Sequence, residues 1–284
     1  MQLVIKYKNS QGTVEISGNS AKSIRLIEIE GLGIAEREYI TAFFSGYDGQ
    51  ETISSRALPR TVTLSAEICG EDISAIAAKT LQILSHPGWL YVENAEMCRR
   101  IYCNQVKIPD LVRVLKGRIA KLAVQFVCDN PYFEDEREST VSLYRQIKNL
   151  GTPFTLPAVF GTTIMGAVIK NQGDCVIEPC IYINCPKALP DAESVTITNN
   201  TTGKKIVFEY APDNGDKITV DIKNRKITSS IAGNLLNNLS DNTFLGDFVL
   251  DKGINDLSVV VGNVQSEFTL ECKYSNIYCE AVIV

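Results

Sequence analysis

The sequence predicts a mainly β protein of two domains with a single helix. Three observations carry this expectation. At 284 residues the chain exceeds the ~100–150 residues of a typical single domain. Apolar and polar residues alternate over short runs along most of its length, the signature of half-buried strands. One segment alone, Ile73–Leu84, repeats its apolar residues at helical spacing. Apolar residues make up 45% of the chain, enough for two cores.

In order, residues 3–7, 13–16 and 24–29 read as strands. Gly31-Leu32-Gly33, an apolar segment at 39–44 and the Asp48-Gly49 turn follow. Val62, Leu64, Ala66 and Ile68 then alternate as one strand face. Asp72 stands where an N-cap belongs, ahead of Ile73, Ile76, Ala77, Leu81 and Leu84, and His86-Pro87-Gly88 stops the helix. Residues 89–92, with Trp89 read as core, and 100–103 give further strands. A long strand places Leu122, Val124, Phe126 and Cys128 on one face and ends at Asp129-Asn130-Pro131-Tyr132-Phe133. Pro131 has no amide for a ladder and forces Asn130 out of helical geometry, so the sheet is expected to stop there. Residues 1–133 form one α+β unit of antiparallel sheet.

Residues 134–155, polar and punctuated by Gly151-Thr152-Pro153, read as a linker or extended arm. From 156 to 284 the pattern is all β. Alternation runs through Cys175, Ile177, Ile181 and Ile183; Ile206, Phe208 and Tyr210; Ile218, Val220 and Ile222; Leu257, Val259 and Val261; and Phe268, Leu270, Cys272 and Tyr274. Between these lie strong turn signals: Asn171-Gln172-Gly173-Asp174, Asn199-Asn200, Asp213-Asn214-Gly215-Asp216 and Lys252-Gly253. Short strands at this spacing argue for a β-sandwich or jelly roll.

Charge and motifs narrow the function. Residues 1–133 carry 15 Lys+Arg against 14 Asp+Glu, and residues 134–284 carry 13 against 19. Neither half has the basic surplus of a nucleic-acid binder. No run approaches the ~20 apolar residues of a membrane span. Residues 1–8 do not read as a signal peptide, so a cytoplasm is the expected site of folding. The nine cysteines lack metal-site spacing: on a strand, Cys180 faces away from Cys175 and Cys185, and Cys98 from Cys103. They read as buried thiols. His86 is the sole histidine and belongs to a helix stop, where it serves the last carbonyls. No nucleophile–base motif surrounds it, no phosphate loop is present, and Gly31-Leu32-Gly33 lacks a third glycine. Asp213, Asp216, Asp241, Asp247 and Asp251 sit beside turns, where aspartate serves the backbone. No catalytic, cofactor-binding or metal residue is therefore expected. A sugar-binding sandwich is the rival reading, with Tyr182 and Tyr278 as its exposed aromatics.

Taken in order, these pieces resemble a known family. They are the Asp48-Gly49 turn, the strand Arg60-Thr61-Val62-Thr63-Leu64, the helix, the hairpin through Arg100-Ile101-Tyr102, and the strand ending at Asp129–Phe133. Then come Asn171-Gln172-Gly173-Asp174, Pro179-Cys180-Ile181-Tyr182-Ile183, Ile197–Gly203, Gly215–Asp221 and Leu250–Asn255. The chain resembles the phage tail family that includes the distal tail protein of siphovirus-type phages. The resemblance implies a ring-forming belt domain over 1–133 and a galectin-like, jelly-roll-type β-sandwich over 156–284. It implies a homohexameric ring at the tip of a phage or prophage tail, a baseplate hub between the tail tube and the receptor-binding, lysin or fibre proteins. It implies assembly in the host bacterial cytoplasm, no enzyme activity and no cofactor. Host surface glycans are a further partner to test, and neither membrane nor nucleic acid outside the tail channel is expected. Residues 31–49 and 93–100, turn-rich segments between paired strands, are the expected ring contacts.

Overall fold

A computed structural model of the chain describes residues 3–19, 23–46, 48–114, 119–147, 162–188, 194–261 and 268–281. In chain order the elements begin with β1 (Val4–Asn9), β2 (Gly12–Ser17), β3 (Ile24–Glu30), β4 (Arg37–Ala42), β5 (Glu51–Ala57) and β6 (Arg60–Cys69). The helix α1 (Ile73–Leu84), β7 (Gly88–Glu93), β8 (Cys98–Cys103), β9 (Gln105–Val114), β10 (Ile119–Cys128) and β11 (Phe133–Asp135) follow. Next are β12 (Ser139–Ile147), β13 (Thr162–Asn171), β14 (Cys180–Cys185), β15 (Ser194–Asn199), β16 (Lys204–Glu209) and β17 (Asp216–Asp221). The last are β18 (Lys226–Ser229), β19 (Gly233–Asn234), β20 (Gly253–Val261), β21 (Thr269–Tyr274) and β22 (Ile277–Tyr278). Two compact units result: Met1–Glu136 with Ile277–Val284, and Arg137–Asn276.

The first unit holds a ten-stranded sheet in the order β22-β11-β8-β7-β1-β2-β3-β6-β10-β9, antiparallel except where β2 meets β3 at Ser17 and Arg25. Alternation drives its core: Val62, Leu64, Ala66 and Ile68 of β6 and Leu122, Val124, Phe126 and Cys128 of β10 are all buried. The sheet curls. β8 and β10 stand far apart in strand order, yet the Asn104 N–H donates to the Val127 carbonyl at 2.9 Å. Tyr7 and Phe126 meet inside with ring centroids 5.1 Å apart. The helix begins as expected, with the Asp72 carboxylate accepting from the Ala75 N–H at 3.0 Å, and buries Ile73, Ala77, Ile83 and Leu84. His86 Nδ1 lies 3.3 Å from the Gln82 carbonyl, in the expected role at the helix end.

A buried arginine ties the loose ends of this unit together. Arg60, 5% exposed, donates from Nε to the Pro131 carbonyl at 2.7 Å and from Nη2 to the Cys279 carbonyl at 2.6 Å. Its Nη1 donates to the carbonyls of Gly31 and Gly33. The guanidinium carbon lies 4.7 Å from the centroid of the buried Phe133 ring. Arg99 holds the returning chain in a second place, donating to the Glu280 carbonyl at 2.7 Å with its guanidinium over the Tyr278 ring.

The second unit holds the other ten-stranded order, β16-β15-β20-β13-β12-β21-β14-β17-β18-β19. It is split into two layers by β13, whose residues 162–165 pair with β12 and 166–171 with β20. The switch falls at Gly166, at φ +134°, where a Cβ would lie 2.4 Å from the Leu257 carbonyl oxygen. A side chain there would collide with backbone, so glycine makes the corner. A register shift between Ser142 and Tyr144 lets both Leu143 and Tyr144 point inward. The turn asparagines are structural. Asn171 Nδ2 donates to the Cys175 and Leu250 carbonyls, Asn199 Nδ2 to the Val249 carbonyl and to Asn255 Oδ1, and Asn255 Nδ2 to the Asp251 carbonyl. The carboxylate of Asp216, fully buried, accepts from Ser229 Oγ, Ser230 Oγ and Tyr210 Oη.

Several expectations shift. The first sheet does not end at Cys128: β11 rejoins it, because the Asp129–Pro131 turn redirects the chain without ending its pairing. The expected linker contains β12, whose alternation the acidic run at 134–136 masks; residues 148–155 lie outside the described residues. The sandwich does not run to residue 284, since 277–281 return to pair with β11 and to meet Arg60 and Arg99. Trp89 is not core. It is half-buried on the outer face, edge-on to Tyr102 and under the Arg100 guanidinium, while Leu90 faces inward. Cys175 lies in a turn ahead of β14, where the Asn171 amide takes its carbonyl.

Two outcomes follow for stability. Arg60→Met leaves four carbonyls without their cationic donor and is expected to cost more than about 3 kcal/mol. The fluorescence of Trp89, the only tryptophan, reports this as an earlier unfolding transition in urea. Asp216→Ala strips three hydroxyls of their acceptor and should cost about 2 kcal/mol, seen by circular dichroism with the Trp89 transition unmoved.

Candidate functional site

β4 and β5 form a two-stranded sheet of their own. The sequence places it by the turns at each end. Gly31 leaves β3 at φ +85°, and a Cβ there would lie 2.3 Å from the Thr61 carbonyl oxygen, so the root of the ribbon requires glycine. Arg60 clasps Gly31 and Gly33, and the Leu58 N–H donates to the Glu36 carbonyl at 2.8 Å.

Beyond this root the ribbon supports itself. Arg56 Nε pairs with Glu38 at 2.6 Å and Arg37 Nη2 donates to Ser55 Oγ at 2.9 Å, both in the open, where such bonds contribute little. The successive side chains of Tyr39 and Ile40 point to opposite faces, and each is more than half exposed, so neither face is covered. Phe43 is 76% exposed and Ile53 65%, and Ile34 and Phe44 are exposed as well. At the tip, Phe44, Asp48, Gly49, Gln50 and Glu51 line an open concavity of about 450 Å³.

A two-stranded ribbon of this kind is marginal in water, and its open edges offer unpaired backbone groups to another chain. Large apolar side chains on both faces add surface that water disfavours. The chemistry available here is burial and backbone pairing against a partner. The 31–49 segment singled out from its turns contains half of this ribbon. The other half, β5, was missed because Thr52, Ser54 and Ser55 give it no apolar face; the signal was the opposed Glu38 and Arg56.

The remaining flagged residues do not converge on the ribbon. The 93–100 region is a tight turn in which Asn94 Oδ1 accepts from the Glu96 and Met97 N–H groups. Arg100 pairs with Glu134 at 2.8 Å, and Lys6, paired with Glu93 at 2.5 Å, lines a polar concavity of about 470 Å³. Burial, with Glu93 and Glu136 beside it, pushes the Cys98 thiol up to about 12, which keeps it from acting as a nucleophile at neutral pH. Tyr278 lies under Arg99, and Lys273 Nζ stands 4.6 Å from the centroid of the Tyr182 ring. The ring that a sugar would stack on thus already carries an ammonium. Among the described residues, no three His, Cys, Asp or Glu side chains group to hold a metal ion.

Residues 172–278 match the family model described as Siphovirus-type tail component, C-terminal domain. Nearly all of the matched residues lie in the second unit. Across both units the fold is that of solved phage tail proteins. The Dit protein of phage SPP1, whose crystal structure is described as a paradigm of the hub adsorption apparatus in Gram-positive-infecting phages, is 13% identical. The alignment covers 96% of this chain and 98% of that one, with a TM-score of 0.63. A chain of the phage P2 baseplate in its activated conformation with Ca is 12% identical over 96% of this chain and 98% of that one, with a TM-score of 0.50. The same baseplate with Sr gives the same values. No curated protein matches the sequence.

For the chain on its own, amides of β4 and β5 should exchange with deuterium within seconds, while those of β6 and the middle of β10 stay protected for hours. Exchange followed by mass spectrometry reads the contrast directly.

Proposed function

We propose that this chain is a structural hub protein of a siphovirus-type tail tip, which closes into a ring through the β4–β5 ribbon. The observation that carries this reading is the ribbon itself: a rooted, self-supporting sheet with uncovered apolar side chains on both faces, on a chain with the Dit fold. Ring symmetry needs a heterologous contact, in which one patch meets a different patch on the next copy and the rotation closes. A projecting ribbon supplies the first patch. Burying its half-dozen large apolar side chains represents on the order of 10 kcal/mol per contact before the cost of association.

Six copies is the ring order that the resemblance implies. In this reading the ring joins the tail tube to the baseplate, and the second unit carries the fibre or receptor-binding proteins. The protein acts in the virion, after assembly in the bacterial cytoplasm, and its role is mechanical rather than catalytic. The 93–100 turn is the weaker contact candidate, since its polar groups already satisfy one another.

Deletion of residues 40–50 tests the ribbon. Light scattering of the intact protein is expected to give a ring mass, with closed rings in negative stain, and the deletion variant a monomer mass with the Trp89 unfolding transition retained. An oligomer unchanged by the deletion would refute the ribbon as the contact. A strictly monomeric intact chain at high concentration, alone and with a tail-tube protein, would refute the hub.

A further inference from the structure

The curl of the first sheet brings together two cysteines that strand order keeps far apart. Cys103 ends β8 and Cys128 ends β10, with β7, β1, β2, β3 and β6 between those strands in the sheet. Their sulfurs nevertheless lie 3.6 Å apart. β8 runs through Asn104 into β9, whose Gln105 is the register partner of Val127 in β10, and the Asn104 N–H donates to the Val127 carbonyl, so the end of β8 lies beside the end of β10. This is the seam where the sheet meets itself. A disulfide bond is about 2.05 Å long, so closing it asks the two sulfurs to approach by about 1.5 Å.

The surroundings favour reaction at one of the two sulfurs. Arg60 is the register partner of Cys128 across β6 and β10. The Cys103 thiol, followed by the Arg60 guanidinium, holds the Cys128 thiol below its ordinary pKa against the opposing effect of burial. Both cysteines are free and fully buried, but each is followed at once by an exposed residue, Asn104 and Asp129, at a chain turn. Opening of the two strand ends is therefore a local event.

We propose that Cys103 and Cys128 form a latent disulfide, a covalent latch across the seam of the curled sheet that closes when the protein passes from a reducing cytoplasm to oxidising surroundings. The oxidant is a small-molecule disulfide. The Cys128 thiolate attacks one of its sulfurs and expels a thiolate, leaving a mixed disulfide on Cys128. Cys103, deprotonated, then attacks the Cys128 sulfur, expels the second half of the reagent and leaves Cys103–Cys128. The protein loses two protons and two electrons, and the reagent is reduced to two thiols. The bond closes a loop that contains β9, the edge strand, and so removes conformational freedom from the unfolded chain. The disulfide chemistry stands on the first unit alone; the passage from a cytoplasm to oxidising surroundings rests on the hub reading.

The test uses the full chain incubated with oxidised glutathione at pH 8, in buffer and in urea below the unfolding transition, then alkylated, digested with trypsin and mapped by mass spectrometry. Trypsin separates Cys98, Cys103 and Cys128 onto different peptides. The expected result is a linked pair of the Cys103 and Cys128 peptides, and a melting temperature raised by about 5 °C or more that dithiothreitol reverses. Cys103→Ala should lose both the link and the shift. Recovery of both cysteines as alkylated free thiols in buffer and in urea would overturn the proposal. So would a shift in melting temperature that persists in Cys103→Ala.

Discussion

The first unit depends on one side chain that water would rather keep. Arg60 is taken almost wholly out of solvent, and the carbonyls of Gly31, Gly33, Pro131 and Cys279 receive its protons. Desolvation of the guanidinium lowers its pKa from the ordinary value. Arginine tolerates this because its five donors form a fixed fork and it stays charged where lysine would release its proton. The arrangement satisfies a demand from the other side too: carbonyls at irregular backbone need partners as much as the cation does. Three segments far apart in the chain meet at one group. These are the root of the ribbon, the turn that leads out of β10 and the segment that comes back from the second unit.

The second unit meets the same demand with side-chain amides and adds one buried carboxylate. Its turn asparagines donate inward to carbonyls at Leu250, Val249 and Asp251, and Asp216 collects hydroxyls. In both units, buried polar groups are assigned to irregular backbone and the strands are left to apolar alternation. The β4–β5 ribbon departs from this pattern. Its root is fully bonded and its body is not, a contrast that a free chain gains nothing from and an assembling one needs.

Much of this was legible in the sequence. The helix and its Asp72 cap, the inward faces of β6 and β10, and the strands at 204–209, 216–221, 253–261 and 269–274 all follow from period and turn chemistry. What was hidden was non-local. β5 has no apolar face of its own, and its residues 51–56 are exposed among the described residues. β12 was hidden because its charged approach resembles a linker. Trp89 was misplaced because a continuous apolar run does not say which parity faces in, and Arg100 and Tyr102 decide that from the next strand. The four carbonyls around Arg60 and the meeting of Cys103 with Cys128 are products of sheet curl, which pairwise periodicity does not encode.

The chain passes between its units twice, and beside each passage the first unit holds it in a strand, β11 and β22, hydrogen-bonded to each other and, through β11, to β8. A tether of this kind differs from a peptide linker when it is loaded. Tension applied to the second unit is divided between two chains rather than carried by one. Each is anchored by arginine: the first at Pro131 and Glu134, the second at Cys279 and Glu280. Releasing the first unit's hold on the chain then means breaking the bonds of two strands and two arginines, not of one strand.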